Sequence, residues 1–177
     1  GTLIHVLHRR YRRPDQPDHD VVPRLLHRID VETSGVVAVG LDEEFQHKVA
    51  RQFEDRLVQK TYLAVVHGRP DPAEGLINLP IGPDHRSPVR LKLEAKRDGT
   101  GLPASTHYRT LRATDRFALV ELRPRTGRTH QLRVHMQWLG HPIRGDALYA
   151  PAPLRAERLL LHACRLAFVH PLGGAPC

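Results

Sequence analysis

Three stretches of alternating apolar and polar residues, one helical stripe behind a capping aspartate, and short glycine-bounded apolar runs predict an α+β chain. Its centre is a mixed or antiparallel sheet flanked by helices and loops. The alternating stretches are VRLKLEAK (89–96), STHYRTLRA (105–113) and FALVELRPR (117–125), each reading as a strand with one wet face. The helix begins after Asp42, a good N-cap, with Glu43 and Glu44 at its positive end and Phe45, Val49, Phe53 and Leu57 as its apolar stripe.

The remaining elements follow in chain order. Residues 2–12 read as a short helix with Leu3, Val6 and Leu7 on one face. YRRPDQPDHD is a polar, proline-bearing loop. GVVAVGL (35–41) is β-branched and glycine-bounded, the pattern of a buried strand. KTYLAVVHG (60–68) returns as a strand, and 69–88 is rich in proline and glycine around the apolar piece GLINLPI. THQLRVHMQWLG (129–140) carries Leu132, Met136 and Leu139 at helical spacing, and RLLLHACRLAFVH (158–170) is a last, mostly apolar strand. No internal repeat divides the chain, so 1–177 reads as one domain.

Composition narrows the function. With 40% hydrophobic and 26% charged residues the chain is globular rather than disordered. No apolar run approaches the ~18 residues of a membrane span, and GTLIHVLHRRYRR lacks the features of a signal peptide, which predicts a cytoplasmic protein without a membrane partner. Cys164 and Cys177 make no disulfide framework; both read as free thiols, Cys164 packing within its apolar run. The net charge of +8 favours a polyanionic partner. Only four of the 27 basic residues are lysine, a skew that a GC-rich genome also produces, so charge alone does not decide. The thirteen histidines form no metal motif: there is no H-E-x-x-H or C-x-x-C, and His130 and His135 are five apart. No metal is predicted.

Three segments could carry chemistry. In HRIDVETSG (27–35), Arg28 and Asp30 alternate along an extended piece, Thr33 and Ser34 can bond local backbone, and Gly35 permits a tight turn. Taken alone, such an arginine and aspartate are more often a solvated ion pair. RPRTGRTHQLRVH (123–135) groups Arg123, Arg125, Arg128 and Arg133 around Gly127 ahead of a helix, a surface suited to phosphate. GHPIRGDALY (140–149) is a shaped loop with nothing catalytic by composition.

These segments resemble a family. HRIDVETSG is similar to the H-R-L-D-x-x-T-S-G motif of the RluA-type pseudouridine synthases, with Ile29 in place of leucine. KTYLAVVHG resembles that family's K-x-Y-x-A-x-V-x-G strand. TGRTHQLRVHMQWLGHPIRGDALY and LLLHACRLAFVHP resemble its later blocks, in the same order, over residues 24–171. The resemblance implies the pseudouridine synthase catalytic fold and isomerisation of uridine to pseudouridine within RNA. GRPDPAEGLINLPI and RLLLHA favour the RluA branch, whose targets are tRNA anticodon arms and large-subunit (23S-type) rRNA. The family's strand before residue 1 and its strand after the His-Pro turn are not in the chain, so truncation at both ends is expected.

The resemblance also implies site residues. Asp30 is the catalytic aspartate, through attack at C1′ or proton abstraction at C2′. Arg133 is its partner, expected to aim the carboxylate with a bidentate fork. Tyr62 is the active-site tyrosine, stacking on the extruded uracil. Arg28 would fill the space left by the flipped base. Arg128 and His130 would contact RNA or support its loop, and Leu161 and His162 would frame the pocket. The reaction is redox-neutral and needs no cofactor. RNA is the only partner implied, with a monomer and no obligate protein partner. An inactive RNA-binding module of the same fold is the alternative; a phosphate-handling hydrolase lacks a nucleophile or metal motif.

Overall fold

Period-two alternation puts half of each strand's side chains on a buried face, and the strands are long enough here for that face to become a core. In the computed structural model, residues 2–151 and 157–177 are described. They fall into two units. The larger comprises Asp30–Gly35 and Gln59–Arg165; the smaller comprises Gly1–Ile29, Val36–Val58 and Leu166–Cys177.

The larger unit is built on a six-stranded sheet of order β2-β10-β4-β9-β8-β5. Its strands are β2 (Ser34–Gly35), β4 (Gln59–His67), β5 (Glu74–Asn78), β8 (Ser105–Ala113), β9 (Phe117–Pro124) and β10 (Leu161–Ala167). β4 pairs antiparallel with β9, β9 with β8, and β8 with β5, whereas β10 and β2 run parallel. The sheet is therefore mixed, as predicted. A second pair joins β6 (Ile81–Pro83) to β7 (Leu93–Ala95). Helix α3 (Gln131–Trp138) packs on β7, β8 and β9. Inward-facing Val66, Val120 and Leu122 meet Leu132 and Met136 of this helix in one apolar core.

α3 is buried on nearly every side: Gln131 through Met136 are all buried, polar residues included. Each buried polar group therefore needs a partner, and a directed chain of hydrogen bonds supplies them. The Ser105 amide donates to Thr126 Oγ1 (3.0 Å), whose hydroxyl donates to Gln131 Oε1 (2.7 Å). Gln131 Nε2 donates to Thr106 Oγ1 (3.0 Å), and the Thr106 hydroxyl lies 2.8 Å from His135 Nδ1. His135 Nε2 is 3.1 Å from the Leu79 carbonyl, which can only accept. The imidazole proton is thus on Nε2, and Nδ1 accepts from Thr106.

In the smaller unit, α1 (Leu3–Tyr11) and α2 (Glu43–Glu54) accompany the antiparallel pair β1 (Arg24–Leu25) and β3 (Val39–Gly40). Asp42 caps α2 by accepting from the Phe45 amide at 2.8 Å. Phe53 stacks on His27 with centroids 5.1 Å apart, and Phe45 meets Phe168 edge-on.

Several expectations are corrected. GVVAVGL is not one strand: Gly35 pairs with Ala163, only Val39–Gly40 pairs with β1, and between them the Ala38 amide donates to His27 Nε2 (2.9 Å) rather than to a neighbouring strand. Strand 89–96 shrinks to Leu93–Ala95 because Val89–Lys92 turns, with Lys92 N bonded to Val89 O. Leu57 lies past the end of α2 and is exposed, and Leu3 and Val6 of α1 are exposed too. Cys164 is an exposed free thiol rather than packing.

Burial lowers the pKa of His135, the Leu79 hydrogen bond only partly opposing it. A histidine with a depressed native pKa gives stability that is complete above the unfolded value of ~6.5 and is lost as pH falls below it toward the native value. Urea midpoints measured between pH 7.5 and pH 5 should therefore drop for the wild type, and drop less for His135→Gln. Equal drops would place the sensitivity elsewhere.

Candidate active site

A type of turn that any four residues can make sets the first carboxylate. The Thr33 amide bonds the Asp30 carbonyl at 2.9 Å, so Asp30–Thr33 forms a tight turn. Gly35 follows at φ 125°, and a Cβ there would run into the Ala163 backbone. Glycine thus allows β2 to press against β10, which ties the turn to the sheet. Ser34 does not bond local backbone, as the sequence suggested: its Oγ contacts His162 Nδ1 (2.9 Å) and the Leu161 carbonyl (3.4 Å), across the β2–β10 pair.

Arg133 lies on α3 and is 2% exposed, with Asp146 at 0%. Its fork is bidentate, Nε to Asp146 Oδ2 at 2.8 Å and Nη2 to Asp146 Oδ1 at 2.7 Å. Asp146 Oδ1 also accepts the amides of Leu148 and Tyr149, each at 3.0 Å. Nη2 is also 3.2 Å from Glu32, while Nη1 stands 4.0 Å from Asp30 Oδ2. This corrects the expected bidentate contact, although Arg133 and Asp30 still form an ion pair. The fork holds Asp146, not Asp30, and Asp30 receives the remaining guanidinium edge. Burial opposes the charge on Arg133, but the Asp146 hydrogen bonds and the charges of Asp146, Glu32 and Asp30 outweigh it and raise its pKa.

An aromatic wall completes the cluster. The Arg133 guanidinium sits 5.2 Å from the Tyr149 ring centroid, a cation–π contact. Burial pushes the Tyr149 phenol up to about 12, so it keeps its proton. Tyr149 accepts from the Leu93 amide (3.1 Å) and lies 2.9 Å from His130 Nδ1. Burial lowers the His130 pKa, against the charge of Asp30, which favours the neutral imidazole beside the phenol. His130 holds a left-handed backbone at φ 55°, an uncommon strain for a side-chain-bearing residue. Tyr62 is half-buried on β4, and burial followed by the Asp30 charge raises its pKa, which keeps the phenol protonated at neutral pH.

Of the residues named from sequence, Asp30, Tyr62, His130 and Arg133 share the larger unit and influence one another electrostatically. Arg128 braces its loop, Nε donating to the Pro103 carbonyl at 3.1 Å. Leu161 is in the apolar core, and His162 is exposed beside Ser34. Arg28 belongs to the smaller unit and is exposed. The residues missed are Asp146, Glu32 and Tyr149. A signal for Asp146 existed: it is the one acid between Glu121 and Glu157, a stretch that also holds the helical Arg133. Among the described residues, no group of histidines, cysteines and acids could hold a metal ion, and no helix is long and apolar enough to cross a membrane.

Breaking a buried ion pair from one side leaves a charge stranded, at about 3–5 kcal/mol. Asp146→Asn should lower the unfolding free energy on that scale in a urea titration. Asp30→Asn, whose carboxylate is beyond hydrogen-bond range of Arg133, should change it by less than about 1 kcal/mol. Equal losses would refute the ranking of the two partners.

Residues 3–138 match the model of the RNA pseudouridylate synthase family. The dual-specificity RNA pseudouridine synthase RluA of Escherichia coli K12 is 48% identical over 152 residues, 84% of this chain and 68% of that protein. An uncharacterized RNA pseudouridine synthase of Chloroflexus aurantiacus is 41% identical, across 98% of this chain and 54% of its own length. Among solved structures, human RNA pseudouridylate synthase domain containing 1 superposes with a TM-score of 0.79 at 32% identity, covering 88% of this chain and 67% of that one. The mixed sheet is thus the family's fold, and the chain belongs to the RNA pseudouridylate synthase family.

Proposed function

We propose that this chain is an RNA pseudouridine synthase that isomerises specific uridines in tRNA, large-subunit rRNA or both. The observation that carries the reading is the convergence of a partly exposed carboxylate, Asp30, on the free edge of a buried guanidinium, with Tyr62 close enough to feel its charge. The N1–C1′ bond breaks, the uracil turns, C5 bonds to C1′, and the C5 proton leaves as N1 gains one. Attack by Asp30 at C1′ and removal of the C2′ proton both require its ionised form. The Arg133 charge stabilises that form when RNA displaces water. Glu32 and Asp146 share the same cation, so Arg133 steadies Asp30 without being consumed by it.

Tyr62 serves as a stacking surface for the uracil, because a phenol with a raised pKa is a weak proton acceptor at neutral pH. Extruding a stacked uridine costs a few kcal/mol, and Arg28 occupies the space it leaves. Neither step calls for a cofactor, since the leaving uracil is also the incoming group.

Tritium release from [5-³H]uridine-labelled tRNA tests the reading. The wild type should release tritium, and Asp30→Asn should fall by at least about a thousandfold while keeping RNA affinity. Binding without release by the wild type would instead identify an inactive RNA-binding module. Tyr62→Phe should retain more turnover than Tyr62→Leu, the latter losing roughly 1–3 kcal/mol of stacking; the reverse order would return proton transfer to the phenol. Arg28→Ala should slow reaction on structured RNA more than on unstructured RNA, and equal slowing would remove it as the wedge.

A further inference from the structure

Even-numbered residues of β4 face the interior: Val66 and Ala64 are fully buried, and Tyr62 packs against the same core. Lys60 is next in that row. Strand alternation therefore sends an ammonium to the face where its strand neighbours are apolar or aromatic. Lys60 is half-buried, and its Nζ donates one long hydrogen bond, 3.4 Å, to the Thr126 carbonyl. Two of its three donors have no acceptor among the described residues.

The other lysines of the chain are different. Lys48 pairs with Glu44 at 2.7 Å, Lys96 with Glu94 at 2.7 Å, and Lys92 with Asp84 at 3.7 Å. Among the described residues, Lys60 has no carboxylate within ion-pair distance, and burial with no opposing charge lowers its pKa. A half-buried cation without a counter-charge weakens a fold, so the fold itself gives no reason for it.

The surroundings suit an anion. Nζ stands 3.4 Å from where a Cβ on Gly127 would be, so the lack of a side chain leaves that flank of the ammonium open. Gly127 is exposed, and Arg125 and Arg128 lie on either side of it in sequence. A compact ammonium is a good point charge for phosphate. We propose that Lys60, with the Thr126–Gly127 backbone beside it, forms a subsite for one phosphate of the RNA backbone, next to the nucleotide held at Tyr62 and Asp30. This subsite rests on the RNA-modifying reading above.

The test uses the whole chain and an in vitro transcribed tRNA. Binding is measured in an Asp30→Asn background across a potassium chloride series, and turnover by tritium release. Lys60→Met should raise KM about tenfold at low salt with kcat held within about twofold, and flatten the slope of log Kd against log salt by about 0.7–0.9, one phosphate's share. Its melting temperature should equal or exceed that of the wild type, because an unpaired cation has been removed. Lys60→Gln should behave alike. Unchanged KM and slope would overturn the subsite. So would a fall in kcat with the slope unchanged, which would make Lys60 a proton acceptor, or a loss of cooperative unfolding in both variants, which would make it structural. A wild type that binds tRNA without releasing tritium would sink the catalytic reading, while the slopes would still decide the phosphate contact.

Discussion

The guanidinium of Arg133 carries a full charge where almost no water reaches it, and much of the larger unit is arranged around that fact. Taking such a group out of water costs several kcal/mol, which only good geometry and complete hydrogen bonding offset. Asp146 supplies both: two oxygens to the fork, and two backbone amides that hold the carboxylate itself in place. The pair fastens α3 to the loop after it. It also leaves one edge of the guanidinium directed at the turn that carries Asp30. Asp30 is thereby left out of the structural pair and stays partly exposed, 4.0 Å from a cation that is already fixed.

The same helix solves a second problem. An eight-residue helix with its first six residues buried, Gln131 and His135 among them, would be costly without partners. The chain from Ser105 through Thr126, Gln131, Thr106 and His135 to Leu79 leaves each donor one acceptor and fixes the histidine tautomer. That order of donors suits only one packing of α3 on the sheet, so the polar residues specify position as the apolar ones supply adhesion. Arg133 is then placed by two independent sets of bonds, its own and those of its neighbours on the helix.

Much of the fold was legible in local pattern. β4, β8 and β9 lie within a residue of where alternation put them, and Asp42 caps α2 as its position suggested. The failures share a cause. GVVAVGL has strand composition along its whole length, but its backbone bonds go to Ala163, to the His27 ring and to β1, three partners remote in sequence. Cys164 alternates out to solvent on β10, between buried Ala163 and exposed Arg165. The motif around Asp30 identified the candidate chemistry and its ion pair with Arg133, but not that the bidentate fork goes to Asp146. Motifs record which residues occur together, and a guanidinium can face several acids at once.

By itself, the sequence determined the fold class, the order of the principal strands and helices, the family, and the residue types at the site. The fold class and the order of elements follow from periodicity and capping, which act between neighbours along the chain; the family and the candidate site residues came from the resemblance of four motifs to those of a known family. Only the tertiary structure decided that Asp146 anchors Arg133, that Tyr149 and His130 wall the cluster, and that, among the described residues, no carboxylate pairs with Lys60. Those depend on which distant segments meet inside a low-dielectric interior, where the energy of a charge is set by its spatial neighbours.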